Sequence, residues 1–228
     1  MSQFISVLKA QPQLCNTIFL REFESPNGIA DVILVDLLPG WSSEVNIGRI
    51  SPEWAYALHK LTDTQCFSVD EFKRFAGVSS RRAKKALIDF AAAGFCERLP
   101  DSDKWRKKVR VLPIASEICA IEAKLSDWRR ALYQATRYQD FANQSWVVMD
   151  QSKVAAALTN ISQFTRLNVG LAGVDVFGGV YIYYTPTFRQ FKSEVRYWYA
   201  NSRIGAELLN RATCESVDDK SLWPEPME

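Results

Sequence analysis

Three charged residues sit where charge is expensive. Asp31 stands near the head of an apolar run, IADVILVD, and Glu122 and Lys124 close a second one, ICAIEAK, with Glu122 lying 91 positions after Asp31. Both runs are rich in β-branched residues and read as strands. Side chains alternate across a strand, so Glu122 and Lys124, two apart, share one face. If the two strands are sheet neighbours, Asp31 can join Glu122 in offering oxygen ligands to a hard divalent cation such as Mg²⁺ or Mn²⁺. Lys124 beside them could orient or deprotonate a water, or offset charge developing on an attacked phosphorus. The chemistry such a trio suits is hydrolysis of a phosphodiester. The plainer alternative is a salt-bridged Glu-x-Lys pair on a sheet face, since both residue types are common. Against it stands the apolar setting, because partly desolvated charges in hydrophobic strands need a compensating role.

The elements that must position these residues can be read along the chain. Residues 17–36 read as a hairpin turning at Ser25-Pro26-Asn27-Gly28. After Pro39-Gly40, three stretches look helical: 51–61, 68–77 and 79–94. Ser51 before Pro52, Ser68 and Ser79 suit N-caps, and Gly77 and Gly94 suit C-terminal stops. FCERL and KWRKKVRVL then read as two strands around the polar turn PDSD. Three helices followed by a β-hairpin make a winged helix-turn-helix, assigned to residues 41–113. From Ile114 the pattern is strand (116–124), helix (126–142, capped by Ser126) and strand (145–149). Short joints between these imply a crossover and a parallel strand pair in a mixed sheet. A helix over about 151–165 follows, then two strands flanking Phe177-Gly178-Gly179. A final helix is expected over 188–211, broken near Asn201. The tail 212–228 carries Glu215, Asp218, Asp219, Glu225 and Glu228 against Lys220 and is expected to be loose.

Net charge is only +2 over 228 residues, yet residues 73–110 hold twelve cations and four carboxylates, a net of +8 that leaves −6 elsewhere. On the helix 79–94, Ala83, Ala86, Leu87 and Phe90 make the core stripe and leave Arg81, Lys84 and Lys85 on another face. Together with Arg82, and with Trp105, Arg106, Lys107 and Lys108 in the hairpin, these form the electrostatic footprint of a DNA contact. A solvated helix face, or a winged helix that docks on protein, is the competing account of the same residues.

Other chemistries are disfavoured. The cysteines, at 15, 66, 96, 119 and 214, form no CxxC pair, so neither a zinc site nor a disulfide framework is signalled. A single histidine, His59, weakens any Ser-His-Asp scheme or histidine-cluster phosphatase. No run approaches the ~20 apolar residues of a membrane span, and MSQFISVLKAQPQ lacks a signal-peptide pattern, so a cytoplasmic location away from membranes is expected.

Asp31 at the head of a strand, Glu122-Ala-Lys124 on a later one, Gln134-Ala-Thr-Arg-Tyr138 on the following helix and the next strand WVVM together resemble the PD-(D/E)xK, or restriction-endonuclease-like, nuclease superfamily. The Gln-x-x-x-Tyr element is similar to that of its RecB-like and Holliday-junction-resolvase-like branches. The likeness covers about residues 14–40 and 114–186 and rests on short motifs in a particular order. It implies an α+β / α/β fold, a restriction-endonuclease-like mixed sheet flanked by helices, and Mg²⁺- or Mn²⁺-dependent hydrolysis of nucleic acid. Asp31 and Glu122 would be metal ligands, and Lys124 the water activator or charge stabiliser. Gln134 and Tyr138 read either as contacts to the site or as a polar helix face packing on the sheet. The family's proline is replaced by Ala30. Its additional acidic residue before the aspartate falls on Glu22 or Glu24, with Glu22 favoured.

The expected organisation is a nuclease-like domain in two parts, 1–40 and 114–211, interrupted by the winged helix at 41–113 and followed by the acidic tail. The expected activity is that of a DNA endonuclease whose winged helix holds duplex, acting as a homodimer if both strands are cut. The alternative is a noncatalytic DNA-binding regulator or assembly subunit that keeps the nuclease-like fold as a scaffold. The aromatics Tyr181, Tyr183, Tyr184, Tyr197, Trp198 and Tyr199 could stack on unpaired bases, or fill a core or dimer surface.

Overall fold

The residues flanking Asp31 alternate little in polarity and are buried on both sides, as expected of an interior strand. The computed structural model describes residues 17–39, 46–63 and 65–218. Residues 219–228 of the expected acidic tail lie outside these. The chain divides into two units, residues 1–39 with 115–197 and residues 40–114 with 198–228.

The first unit is built on a six-stranded mixed sheet of order β1-β2-β6-β7-β8-β9 with helices flanking it. Strands β1 (Thr17–Ser25) and β2 (Gly28–Leu37) form the expected hairpin. Gly28 takes φ +127°, a value that only glycine adopts freely. The Asn27 backbone N–H donates to Ser25 Oγ at 3.2 Å, and Ser25 Oγ donates to the Gly28 carbonyl at 2.9 Å. β2 pairs antiparallel with β6 (Ala115–Lys124), which makes the strands bearing Asp31 and Glu122 neighbours. β6 runs parallel to β7 (Gln144–Asp150), and β7 parallel to β8 (Gly170–Val174); β9 (Val180–Tyr184) closes the sheet antiparallel.

Between β6 and β7 lies the helix that we number α4 (Trp128–Tyr138). Its apolar stripe, Trp128, Ala131, Leu132 and Ala135, packs with Val147, Met149 and Leu171 on one side of the sheet. Val32, Leu34, Ile121, Trp146 and Val148 form a separate cluster from the alternate strand positions. Asp127 rather than Ser126 caps α4, accepting from Arg130 N at 3.1 Å. Where one long helix is expected over 151–165, a 3₁₀ turn (Gln151–Lys153) leads into α5 (Ala155–Thr159) and α6 (Ile161–Leu167), parted at Asn160.

In the second unit, α1 (Ala55–Lys60), α2 (Val69–Ala76) and α3 (Ser80–Ala92) follow in order, with a three-stranded sheet β3-β5-β4 (Cys66–Ser68, Lys104–Lys107, Cys96–Arg98). Ser68 and Glu71 form a reciprocal capping box on α2, Gly77 ends it in the left-handed conformation, and Ser79 caps α3. Strand β3 is not apparent in the sequence; it is three residues long and exists by pairing with β5. The His59 ring stacks on Trp198 with centroids 4.0 Å apart. The final helix, α7 (Glu194–Asp218), starts six residues later than expected and runs through Asn201 without a break. Asn201 is fully buried there, and its Oδ1 accepts from Ile114 N at 2.7 Å, a tertiary bond that outweighs the low helix propensity of asparagine.

Candidate active site

The ladder between β2 and β6 ends at Val32↔Ile121, and one step further the register puts Asp31 beside Glu122. At that step a side chain takes over from the backbone: Asp31 Oδ2 accepts from Ala123 N at 2.7 Å. Neighbouring residues across an antiparallel pair share a face, so Asp31, Glu122 and Lys124 come to one side of the sheet. Both Asp31 and Glu122 act electrostatically on Tyr138 at the end of α4.

Glu122 is only 1% exposed. Its Oε2 accepts a hydrogen bond from the Tyr138 hydroxyl at 2.7 Å, while Lys124 Nζ lies 2.6 Å from its Oε1. The lysine approaches off the hydrogen-bonding direction, so Oε1 gains charge compensation but no hydrogen-bond donor. Lys124 is 29% exposed and carries this charge from the buried pair to the surface. The Tyr138 oxygen also lies 2.6 Å from the Ile29 carbonyl oxygen. A phenol has one proton, and the charged carboxylate is the stronger of the two acceptors. Burial, and then the Glu122 carboxylate, hold the Tyr138 phenol far above its ordinary range, so it remains a proton donor. Gln134, one turn earlier on α4, acts on the same hydroxyl and offsets part of that rise, while its own Oε1 is buried without a hydrogen-bond partner. The end of α4 is fixed in turn by the β1–β2 turn, where Asn27 Nδ2 donates to the Arg137 carbonyl at 3.2 Å and to Asp140 Oδ2 at 2.6 Å.

Glu22 occupies the ladder position between the pairs Arg21↔Val32 and Phe23↔Ala30, in the same cross-strand row as Asp31 and Glu122. Its backbone has φ +49°, left-handed for a residue with a Cβ, at a cost on the order of 1 kcal/mol. Its side chain and that of Glu24 are exposed. Among the described residues, no group of three or more His, Cys, Asp or Glu side chains is arranged to hold a metal ion. Mg²⁺ needs no such group, because it is commonly held by one or two carboxylates with water and phosphate oxygens completing the shell. The two carboxylates available to such an ion are Glu122, whose buried Oε1 lacks a hydrogen-bond donor but lies 2.6 Å from Lys124 Nζ, and Asp31, one register step across the sheet.

No family model, curated protein or solved structure matches the chain.

The basic residues of the second unit separate into two sets. On α3, Arg81, Lys84 and Lys85 are exposed opposite the buried stripe Ala83, Ala86, Leu87 and Phe90. Arg82 is exposed but pairs with Glu53 at 2.9 Å and lies over the Trp54 ring. In the hairpin, Trp105 is buried, and Lys107 is 3% exposed, with Nζ 2.8 Å from Asp63 and 2.8 Å from the Leu61 carbonyl it donates to. Those two are interior residues, not surface contacts. The sequence carried the signal for this: alternation along KWRK puts Lys107 on the same side as Trp105. Arg106 Nε donates to Glu97 at 2.9 Å and Lys108 Nζ lies 3.9 Å from the same carboxylate, so neither is free of local neutralisation. A cleft of about 590 Å³ runs between the start of α2, α3 and β5, lined by Ser68, Asp70, Ser80, Lys84, Ile88 and Trp105.

The backbone N–H of Ala123, the Ile29 carbonyl and Asn27 all shape the site, and no motif announces them. Among the described residues, no helix is long and apolar enough to cross a membrane.

Proposed function

We propose that the chain is a metal-dependent DNA endonuclease of restriction-endonuclease-like architecture, with residues 41–113 as an inserted winged helix that holds duplex. The observation that carries this is the Glu122–Lys124 pair, a nearly inaccessible carboxylate with a lysine 2.6 Å away, on the strand beside Asp31. Taking a carboxylate out of water costs several kcal/mol. Packing alone gives no reason to spend that on β6, where the equivalent positions of the neighbouring strand are Val147 and Met149.

Asp31 and Glu122 would hold Mg²⁺ or Mn²⁺, which supplies charge neutralisation at the phosphate and a more acidic water. The chain's own residues hold the rest. Tyr138 keeps Glu122 Oε2 in place, and the Ala123 N–H does the same for Asp31 Oδ2. Lys124, the partly exposed member, brings a positive charge towards the non-bridging oxygens of the attacked phosphate, where negative charge grows in the transition state. Arg81, Lys84 and Lys85 on α3 supply backbone phosphate contacts, and a two-fold dimer would suit cleavage of both strands.

The second reading is a noncatalytic DNA-binding subunit with this fold as scaffold. It is favoured by the fact that both Glu122 oxygens already have a neighbour, Tyr138 or Lys124, so the trio could be a self-sufficient ion pair. Incubation of the purified chain with plasmid, linear, single-stranded and branched DNA, with and without Mg²⁺ or Mn²⁺, separates the two. Nicking that needs the metal and falls at least a hundredfold in both Glu122→Gln and Lys124→Met supports the enzyme. DNA binding with no cut under any condition, or variants as active as the parent, supports the scaffold.

A further inference from the structure

The turn between β8 and β9 presents two apolar side chains almost wholly to water: Phe177 is 92% and Val176 86% exposed. The turn is not slack. Asp175 Oδ1 accepts from Phe177 N at 2.9 Å and from Gly179 N at 2.7 Å, and Tyr181 donates its hydroxyl to Asp175 Oδ2 at 3.1 Å. Asp175 N also donates to the Gly179 carbonyl at 3.0 Å. The Gly179 N–H, first among these partners, holds the Asp175 carboxyl below its ordinary range. The backbone that carries the exposed phenyl ring is thus fixed, which lowers part of the ordering cost of using it in binding.

That place adjoins the candidate site. Val176 lines a cleft of about 270 Å³ together with Lys124, Leu125, Val148, Asp150 and Asp175, at the carboxyl ends of β6, β7 and β8. Leu125, next to Lys124 in the chain, is 76% exposed and lines the same cleft as Val176. The two carboxylates of this cleft are occupied locally: Asp175 in its turn, and Asp150 accepting from Ser152 N at 2.8 Å and Ser152 Oγ at 2.7 Å. Lys124 is the cation among the cleft's lining residues, and Val176, which precedes Phe177 in the chain, lines the same cleft.

We propose that Val176 and Phe177 form a wedge that stacks on unpaired bases next to the phosphate at Lys124, so that the preferred substrate is DNA at a junction between paired and unpaired strands. This rests on the nuclease reading for the place of the phosphate. Exposed aromatic rings beside a cation are how proteins grip unstacked bases, and an apolar residue levered into a base step opens it. A protein partner is the poorer occupant. Two side chains of this size offer on the order of 300 Å², well short of the ~800 Å² per partner of a stable interface.

The test uses the full chain with Ca²⁺ in place of Mg²⁺, and three DNAs: a continuous duplex, a splayed-arm duplex with 2-aminopurine at the first unpaired position, and a single strand. The wild type should bind the splayed arm about tenfold more tightly than the duplex and change the 2-aminopurine fluorescence. Phe177→Ala should bring the two affinities together by weakening the splayed arm alone, and Phe177→Trp should restore the difference. Gly179→Ala, whose new Cβ would stand 2.5 Å from Asp175 Oδ2, should weaken the preference with Phe177 still present. Equal wild-type affinities, a preference untouched by Phe177→Ala, or a dimer that Phe177→Ala turns into monomer in sedimentation would overturn the wedge. The nuclease reading fails separately, by a junction preference that persists while Mg²⁺ and Mn²⁺ support no cleavage. Equal cutting of junction and duplex by wild type and Phe177→Ala sinks the wedge and leaves the nuclease.

Discussion

Replacing Tyr138 by phenylalanine tests whether the buried acid at Glu122 is held by the helix behind it. The ring stays, with its packing against Phe141 at 6.1 Å between centroids, and only the hydroxyl goes. Glu122 Oε2 loses its donor at 2.7 Å. A hydrogen bond to a buried charged group contributes about 1.5–3 kcal/mol. The expected loss is therefore about 1.5–3 kcal/mol, or on the order of 3–12 °C in Tm for a chain of this size. Urea unfolding followed by tryptophan fluorescence and far-UV circular dichroism measures it, and a cycle with Glu122→Gln isolates the charged contact. The cycle should give a coupling of at least ~1 kcal/mol. A Tyr138→Phe cost below ~0.5 kcal/mol, or additivity within that margin, would mean that the hydroxyl does not support Glu122, and the role assigned to the end of α4 would fall with it.

Two further outcomes are expected. Replacing Arg81, Lys84 and Lys85 together by alanine should reduce the slope of log K against log salt for duplex binding by about 2.7, three phosphates at ~0.9 each. Titrations between 50 and 300 mM salt read this directly, and an unchanged slope would place the DNA elsewhere. Glu117 lies opposite Asp36 across β2 and β6, and burial first, then Asp36, raise its pKa in the folded state. The native chain therefore binds the proton more tightly than the unfolded one, and this group's contribution to stability falls as pH rises from its ordinary value through the raised one. Glu117→Gln should raise Tm at pH 7 by a small amount, given its exposure, and leave it unchanged at pH 4. A variant no more stable at pH 7 than the parent would contradict that sign.

Much of this was legible where local physics decides. The strands around Asp31 and Glu122 follow from their apolar runs, the hairpin from Asn27-Gly28, and the helix ends of the second unit from Ser68, Ser79 and Gly77. What escaped was decided at a distance. Residues 188–193 have a helical composition, but the backbone N–H groups of Arg189, Lys192 and Ser193 donate to the carbonyls of Asn143, Gln139 and Asp140. The helix cannot begin until those bonds are made. Asn201 looks like a helix breaker until Ile114 supplies its partner. At the site, the types and spacing of Asp31, Glu122, Lys124, Gln134 and Tyr138 were readable. That Tyr138 and Lys124 would meet different oxygens of one carboxylate was not, since it depends on how far α4 reaches over β6.

The pairing of β2 with β6 also bears on the order of events during synthesis. Asp31 leaves the ribosome long before Glu122, and between them come the residues of α1, α2 and α3. A nascent chain ending at residue 114 carries β2 with its β6-facing edge unpaired, a row of open backbone groups on an apolar strand and a template for wrong pairing. Everything the site needs, from the Ala123 N–H to the Tyr138 hydroxyl, arrives within the next two dozen residues. The carboxylates are therefore brought together late and nearly at once, and a chain truncated before Tyr138 is expected to aggregate rather than persist as a partial site.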